Sequence, residues 1–150
     1  MSTAVSTPTM ARIMHLVWAR PGVNPVGTEH HPAVARRAVL LDQFIRETLA
    51  RTPGVQVRTL APKEGRSWSA ERVSFQMPGQ TIAVKVYVTA GHVMLRLPWD
   101  AAWDFHNSAH VARVESVSKP WTVRVQLNEA EGVMVAVELA ARALAHSLTG

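Results

Sequence analysis

The fold of this chain is decided by one stretch, residues 80–98, with the sequence QTIAVKVYVTAGHVMLRLP. Apolar and polar side chains alternate through both of its halves, which is the pattern of strands that bury one face. The Ala90-Gly91 pair between the halves is typical of a tight turn. We therefore predict a β-hairpin. Its buried face is formed by an apolar series, namely Ile82, Val84, Val86, Val88, Val93, Leu95 and Leu97.

Three helices are predicted around this hairpin. Residues 31–54 repeat apolar side chains at steps of three and four, which is the period of an amphipathic helix. Pro98 suits the first position of a short helix over residues 98–107. Asn128 and Glu131 have the spacing of a capping box and predict the start of a last helix.

Four more strands are predicted from alternation, at residues 55–60, 71–77, 112–118 and 121–127. In the last of them, Trp121, Val123 and Val125 are expected to face the core, and Arg124 to face outward. No connection between the strands requires a βαβ crossover. We therefore predict an α+β fold, in which an N-terminal helix, a short middle helix and a C-terminal helix pack on one face of an antiparallel sheet.

Length and composition indicate one globular domain. The chain has 150 residues, of which 47% are hydrophobic and 18% are charged. Residues 1–30 are predicted to form an arm that is flexible or binds a partner, including a second copy in a homodimer. Residues 31–150 are predicted to form the α+β domain. No run of about 18 apolar residues and no secretory signal is seen, so we expect a cytoplasmic protein without membrane contact.

The chain is basic and has no cysteine. Its formal net charge is +5, and thirteen Arg stand against three Lys. The lack of cysteine excludes disulfide scaffolds, thiolate zinc sites and cysteine nucleophiles. Arginine suits phosphate and carboxylate partners, although a codon bias in a high-GC genome would give the same composition.

Three stretches resemble the small bacterial MmcQ/YjbR-like family, also called double-wing proteins, and the related luciferase-like domains. They are the hairpin itself, LRLPWDAAW at residues 95–103 and WTVRVQL at residues 121–127. The resemblance covers about residues 55–148. It implies a double-wing α+β fold and a role in DNA binding, and it does not by itself imply an enzyme.

The outward face of the predicted sheet is the first candidate site. Lys85, Tyr87, Arg96 and Arg124 are expected to gather there if the strands pair as predicted. Arg and Lys neutralise phosphates and Tyr stacks on bases, as on the open sheets that bind single strands. This pattern favours a non-enzymatic binding domain for nucleic acid or an acidic protein. An ordinary solvated face would carry the same mixture of charges.

The segment of residues 92–110 is the alternative site. His106 and His110 are four residues apart, but Asn107 and Ser108 are expected to end the helix between them. A small enzyme or ligand pocket, with or without a bound metal, would combine catalytic His92, Asp104, His106 and His110 with a lining of Trp99 and Trp103. A plain alternative is that both Trp anchor the core while Asp and His face solvent.

No cofactor and no metal-ligand set is predicted from the sequence. Signatures of serine hydrolases, P-loop proteins and Rossmann folds, namely GxSxG, GxxxxGK and GxGxxG, do not occur. The sequence therefore favours binding over catalysis.

Overall fold

The computed structural model describes residues 32–60, 72–87, 90–115 and 120–149, and the predicted arm at residues 1–30 lies outside them. Strands are found close to their predicted positions, except that the strand predicted over residues 112–118 covers only Val111–Arg113, and residues 116–118 lie outside the described residues. The strands are β1 (Gln56–Leu60), β2 (Arg72–Gln76), β3 (Val84–Tyr87), β4 (His92–Leu95), β5 (Val111–Arg113) and β6 (Val123–Gln126). The helices are α1 (Pro32–Arg51), a 3₁₀ helix (Trp99–Phe105) and α2 (Ala130–Thr149).

The described strands form a single antiparallel sheet in the order β1-β2-β3-β4-β6-β5. β3 and β4 are the predicted hairpin, in which Lys85 lies opposite Met94 and Val86 opposite Val93. β6 is inserted between β4 and β5, so β5 is at an edge of the sheet. After β4, the chain therefore runs through the 3₁₀ helix to β5 at the edge of the sheet. It then returns as β6, which lies between β4 and β5.

Both long helices pack on the same face of the sheet, which we call the inner face. Val84, Val86, Val93 and Leu95 point into it and are buried, as the alternation predicted. Phe44 of α1 meets Phe75 of β2 edge to face, with 5.9 Å between ring centroids. Truncating such a buried ring to Ala costs about 3–5 kcal/mol. The predicted α+β class is thereby confirmed.

The middle helix differs from the prediction in its period. It is a 3₁₀ helix, with non-helical dihedrals at Ala102. Because such a helix has three residues per turn, Trp99 and Ala102 share a side. Ala102 is buried and Trp99 packs against the core, whereas Trp103 is 72% exposed. The expectation that both Trp anchor the core was wrong for Trp103.

α2 begins one residue later than predicted. The backbone N–H of Val133 donates to the carbonyl of Glu129, so Glu129 rather than Asn128 is the residue before the first turn. Leu127 and Asn128 belong to the connection from β6, in which the backbone N–H of Leu127 donates to the carbonyl of Gly91. Glu131 consequently lies in the first turn of the helix, where a negative charge is favourable.

α2 is also the one described helix with the length and mean hydropathy, 1.2, of a membrane span. Half of that window is buried against the rest of the protein. Core helices share these properties, and Val133, Ala136, Leu139 and Ala140 are buried in this one.

Candidate functional site

The outer face of the sheet is the side away from α1 and α2, and neither of these helices covers it. Strand register places its side chains in rows. One row runs Arg58, Ser74, Lys85, Met94, Arg124 and Ala112 across all six strands. A second row contains Tyr87, His92 and Gln126. The predicted outward positions of Lys85, Tyr87 and Arg124 are therefore found together.

The acidic residues that the structure describes lie outside the strands, whereas cationic residues occur both in the strands and in the helices. The strands contain five cationic residues and no Asp or Glu. The five are Arg58, Arg72, Lys85, Arg113 and Arg124. The described acidic residues lie in helices and connections, namely Asp42, Glu47, Asp100, Asp104, Glu115, Glu129, Glu131 and Glu138. An anion that approaches the sheet therefore meets no carboxylate on any strand.

Trp121 belongs to the outer face, although alternation predicted it to face the core. The Lys85 Nζ lies 4.1 Å from the centroid of its ring, a cation–π contact. The reason is that β6 begins only at Val123. Trp121 forms an isolated parallel bridge with Leu97, so the strand pattern does not extend to it. An aromatic surface thus adjoins the cationic row.

The positive charge of Arg124 acts on His92 on this face. Burial lowers the pKa of His92 below its ordinary value, and the positive charge of Arg124 lowers it further. The His92 ring packs on Tyr87, with centroids 5.1 Å apart. The Nε of Arg124 is buried and has no hydrogen-bond acceptor. A buried donor without an acceptor is costly, and an acceptor supplied by a ligand would relieve that cost.

Arg96 lies just beyond β4, at one end of the outer face. Its guanidinium donates to the hydroxyl of Thr81 at 2.8 Å. It also lines a cleft of about 450 Å³ with Pro120, Thr122 and His146. Arg96 therefore lies near the row that contains Lys85 and Arg124, but its guanidinium is hydrogen-bonded to Thr81, outside that row.

The residues of the alternative site do not converge. His92 is on the outer face beside Tyr87. The His106 ring stacks on Trp99 at 4.1 Å, and its Nε2 lies 2.7 Å from the Trp99 carbonyl, to which it must donate. His110 lies beyond the 3₁₀ helix and faces the start of α2. Each histidine thus has different partners.

Asp104, the fourth member of that set, is part of an ion-pair network. Arg142 of α2 donates two hydrogen bonds to its carboxylate, at 2.6 and 2.7 Å, and one to the carbonyl of Ala101. The hydrogen bonds from Arg142 lower the pKa of Asp104, and Asp104 raises the pKa of Arg142. Glu138 also contacts Arg142 and pairs with Arg51 of α1. This network ties the 3₁₀ helix and both long helices together.

Sequence patterns missed a cluster beside this network. His110 Nε2 lies 3.8 Å from a carboxylate oxygen of Glu129 and 3.6 Å from one of Glu131. Glu131 also lines a groove of about 450 Å³ with Phe105, Met134 and Arg142. The capping-box spacing drew attention to Glu131, but nothing local in the sequence connects it to His110. Comparisons of the chain with family models, curated proteins and solved structures found no match.

Proposed function

We propose that the outer face of the sheet binds single-stranded nucleic acid. The observation that supports this most is that the described strands carry cationic residues and no carboxylate. Arg58, Lys85 and Arg124 share one row of a sheet whose strands carry no carboxylate. Neighbouring strands are about 4.8 Å apart, so the backbones at these three positions are spaced by about 10 Å. Such a row can contact phosphates at these three positions, while Ser74 between Arg58 and Lys85 is buried.

Aromatic groups next to the row favour a single strand over a duplex. Tyr87 and Trp121 lie on the same face, and unpaired bases stack on such rings with little sequence preference. Bases inside a duplex are not accessible to them. A non-enzymatic nucleic-acid-binding domain also agrees with what the resemblance to double-wing proteins implies.

The test is the fluorescence anisotropy of a labelled oligothymidylate, titrated with untagged protein over a series of salt concentrations. We expect Lys85→Gln with Arg124→Gln to weaken binding at least tenfold at low salt. Loss of two phosphate contacts should also reduce the slope of log K against log salt by about 1.4. Tyr87→Ala should weaken binding by about 5- to 160-fold, since it removes one stacking surface.

The matched control is Arg36→Gln with Arg46→Gln, which removes the same two charges from exposed positions on α1. This variant should bind almost as tightly as the wild type. An equal loss in both double variants would mean that only net charge matters, and the assignment to the sheet would be abandoned. Tighter binding of polyglutamate than of the oligonucleotide would instead indicate an acidic protein partner.

A further inference from the structure

His110, Glu129 and Glu131 meet where the edge of the sheet adjoins the start of α2. The backbone N–H of Gln126, the last residue of β6, donates to the carbonyl of His110 at 2.9 Å. This bond fixes His110 beside the end of β6, and the chain reaches Glu129 three residues later. From this arrangement we infer that His110, Glu129 and Glu131 bind a divalent transition-metal ion.

The spacing of the ligand atoms suits one ion. One donor atom from each of the three side chains lies within 4.8 Å of the other two. The two distances from the imidazole Nε2, 3.6 and 3.8 Å, are those of atoms already close to a common centre. Two ligands held at 2.0–2.2 Å from one zinc ion lie roughly 3–4 Å apart. Only small side-chain rotations are needed to complete the site.

The imidazole is placed in advance by packing. The His110 side chain is only 11% exposed. A Cβ on Gly132 would come within 3.2 Å of its Nδ1, so the ring lies directly against the backbone of α2. The two carboxylates are 57% and 77% exposed, which leaves the ion open to solvent. A rigid nitrogen ligand and two mobile oxygen ligands would thus hold the ion from one side.

The donor set selects the class of metal. Imidazole favours zinc and other first-row transition metals, whereas a site of oxygen atoms alone favours magnesium or calcium. Two carboxylates supply the charge that neutralises a divalent ion. Three protein ligands leave at least one position for water or for an anionic oxygen, as in catalytic zinc sites. Glu131 borders the groove that Arg142 also lines, which is where such a ligand would enter.

The experiment uses the untagged 150-residue chain after removal of metal by a chelator. Zn²⁺ binding is measured by competition with a chromophoric chelator, and Co²⁺ binding by its visible absorption. We expect one tightly bound ion per chain, and weaker binding of Mg²⁺. His110→Ala and Glu131→Gln should each weaken Zn²⁺ binding at least tenfold. Because Glu131 is largely exposed, its variant should fold normally, as circular dichroism would verify.

Glu115→Gln and His146→Ala are the matched controls, since both residues are exposed and lie outside the cluster. They should bind Zn²⁺ as the wild type does. Equal Zn²⁺ affinity in the wild type, His110→Ala and Glu131→Gln would place any bound ion elsewhere, for instance at His30 and His31, and would overturn the inference. Lack of Zn²⁺ binding by the wild type at millimolar concentration would overturn it as well.

Discussion

Replacing Gly132 by Ala changes the free energy of unfolding in two opposite ways, through helix propensity and through packing. Within a helix, Ala is favoured over Gly by about 1 kcal/mol, so helix propensity alone predicts a more stable protein. Packing predicts the reverse. A Cβ on Gly132 would approach the Gln126 carbonyl oxygen to less than 3.0 Å, and the atom it meets is backbone and not the end of a flexible side chain. The first turn of α2 would have to move away from the end of β6.

Steric overpacking of this kind costs about 1–3 kcal/mol. After the propensity gain is subtracted, we expect a net loss between zero and about 2 kcal/mol. For a chain of this size, the loss lowers the midpoint of thermal unfolding by up to about 8 °C. Circular dichroism melts of the wild type and Gly132→Ala measure the difference.

Ala145→Gly calibrates the propensity effect, because Ala145 is exposed on the same helix. The Ala145→Gly variant should be less stable than the wild type by up to about 1 kcal/mol. If Gly132→Ala were instead more stable than the wild type by a similar amount, the close approach of α2 to β6 would be refuted.

Two further predictions concern the outer face and the helical layer. The pKa of His92 is lower in the folded protein than its ordinary value of 6.5. As pH falls, the unfolded chain therefore binds the proton before the folded protein does, and the protein loses stability as pH falls below about 6.5. An NMR titration of the His92 ring should show this lowered pKa in the wild type and a higher pKa in Arg124→Gln. The same His92 pKa in both proteins would contradict the effect of the Arg124 charge. Arg142→Ala should lower the melting temperature by several degrees, because it disconnects the 3₁₀ helix from α2. Arg46→Ala, which breaks only an exposed pair within α1, should change it little.

Local pattern was sufficient for the outer face. The alternation through residues 80–98 determines which side of each strand is buried, because burial of one face fixes the register. Lys85 and Tyr87 were therefore placed on the correct face from the sequence, and Arg124 was placed there by the alternation within residues 121–127. The same argument failed for Trp121, where the chain had not yet entered β6. Alternation has predictive value only within the paired part of a strand.

The candidate metal cluster was not predictable in this way. His110 and Glu131 are separated by twenty residues of different local structure. They meet because β5 and β6 pair antiparallel, which brings the start of β5 beside the end of β6. Which strands pair with each other is not encoded in the period of any one of them. The 3₁₀ helix presents a similar limit, since the spacing of Trp99 and Trp103 fits an α-helix that the chain does not form.

The inserted position of β6 also has a consequence for the order of folding. β3 and β4 are joined by residues 88–91, whereas residues 96–122 separate β4 from β6. Closing the longer loop costs about 1.7 kcal/mol more in chain entropy. The β3–β4 hairpin should therefore form early, and β6 should join the sheet afterwards. Since β6 leads into α2, the last helix and the cluster at its start would be completed in that late step.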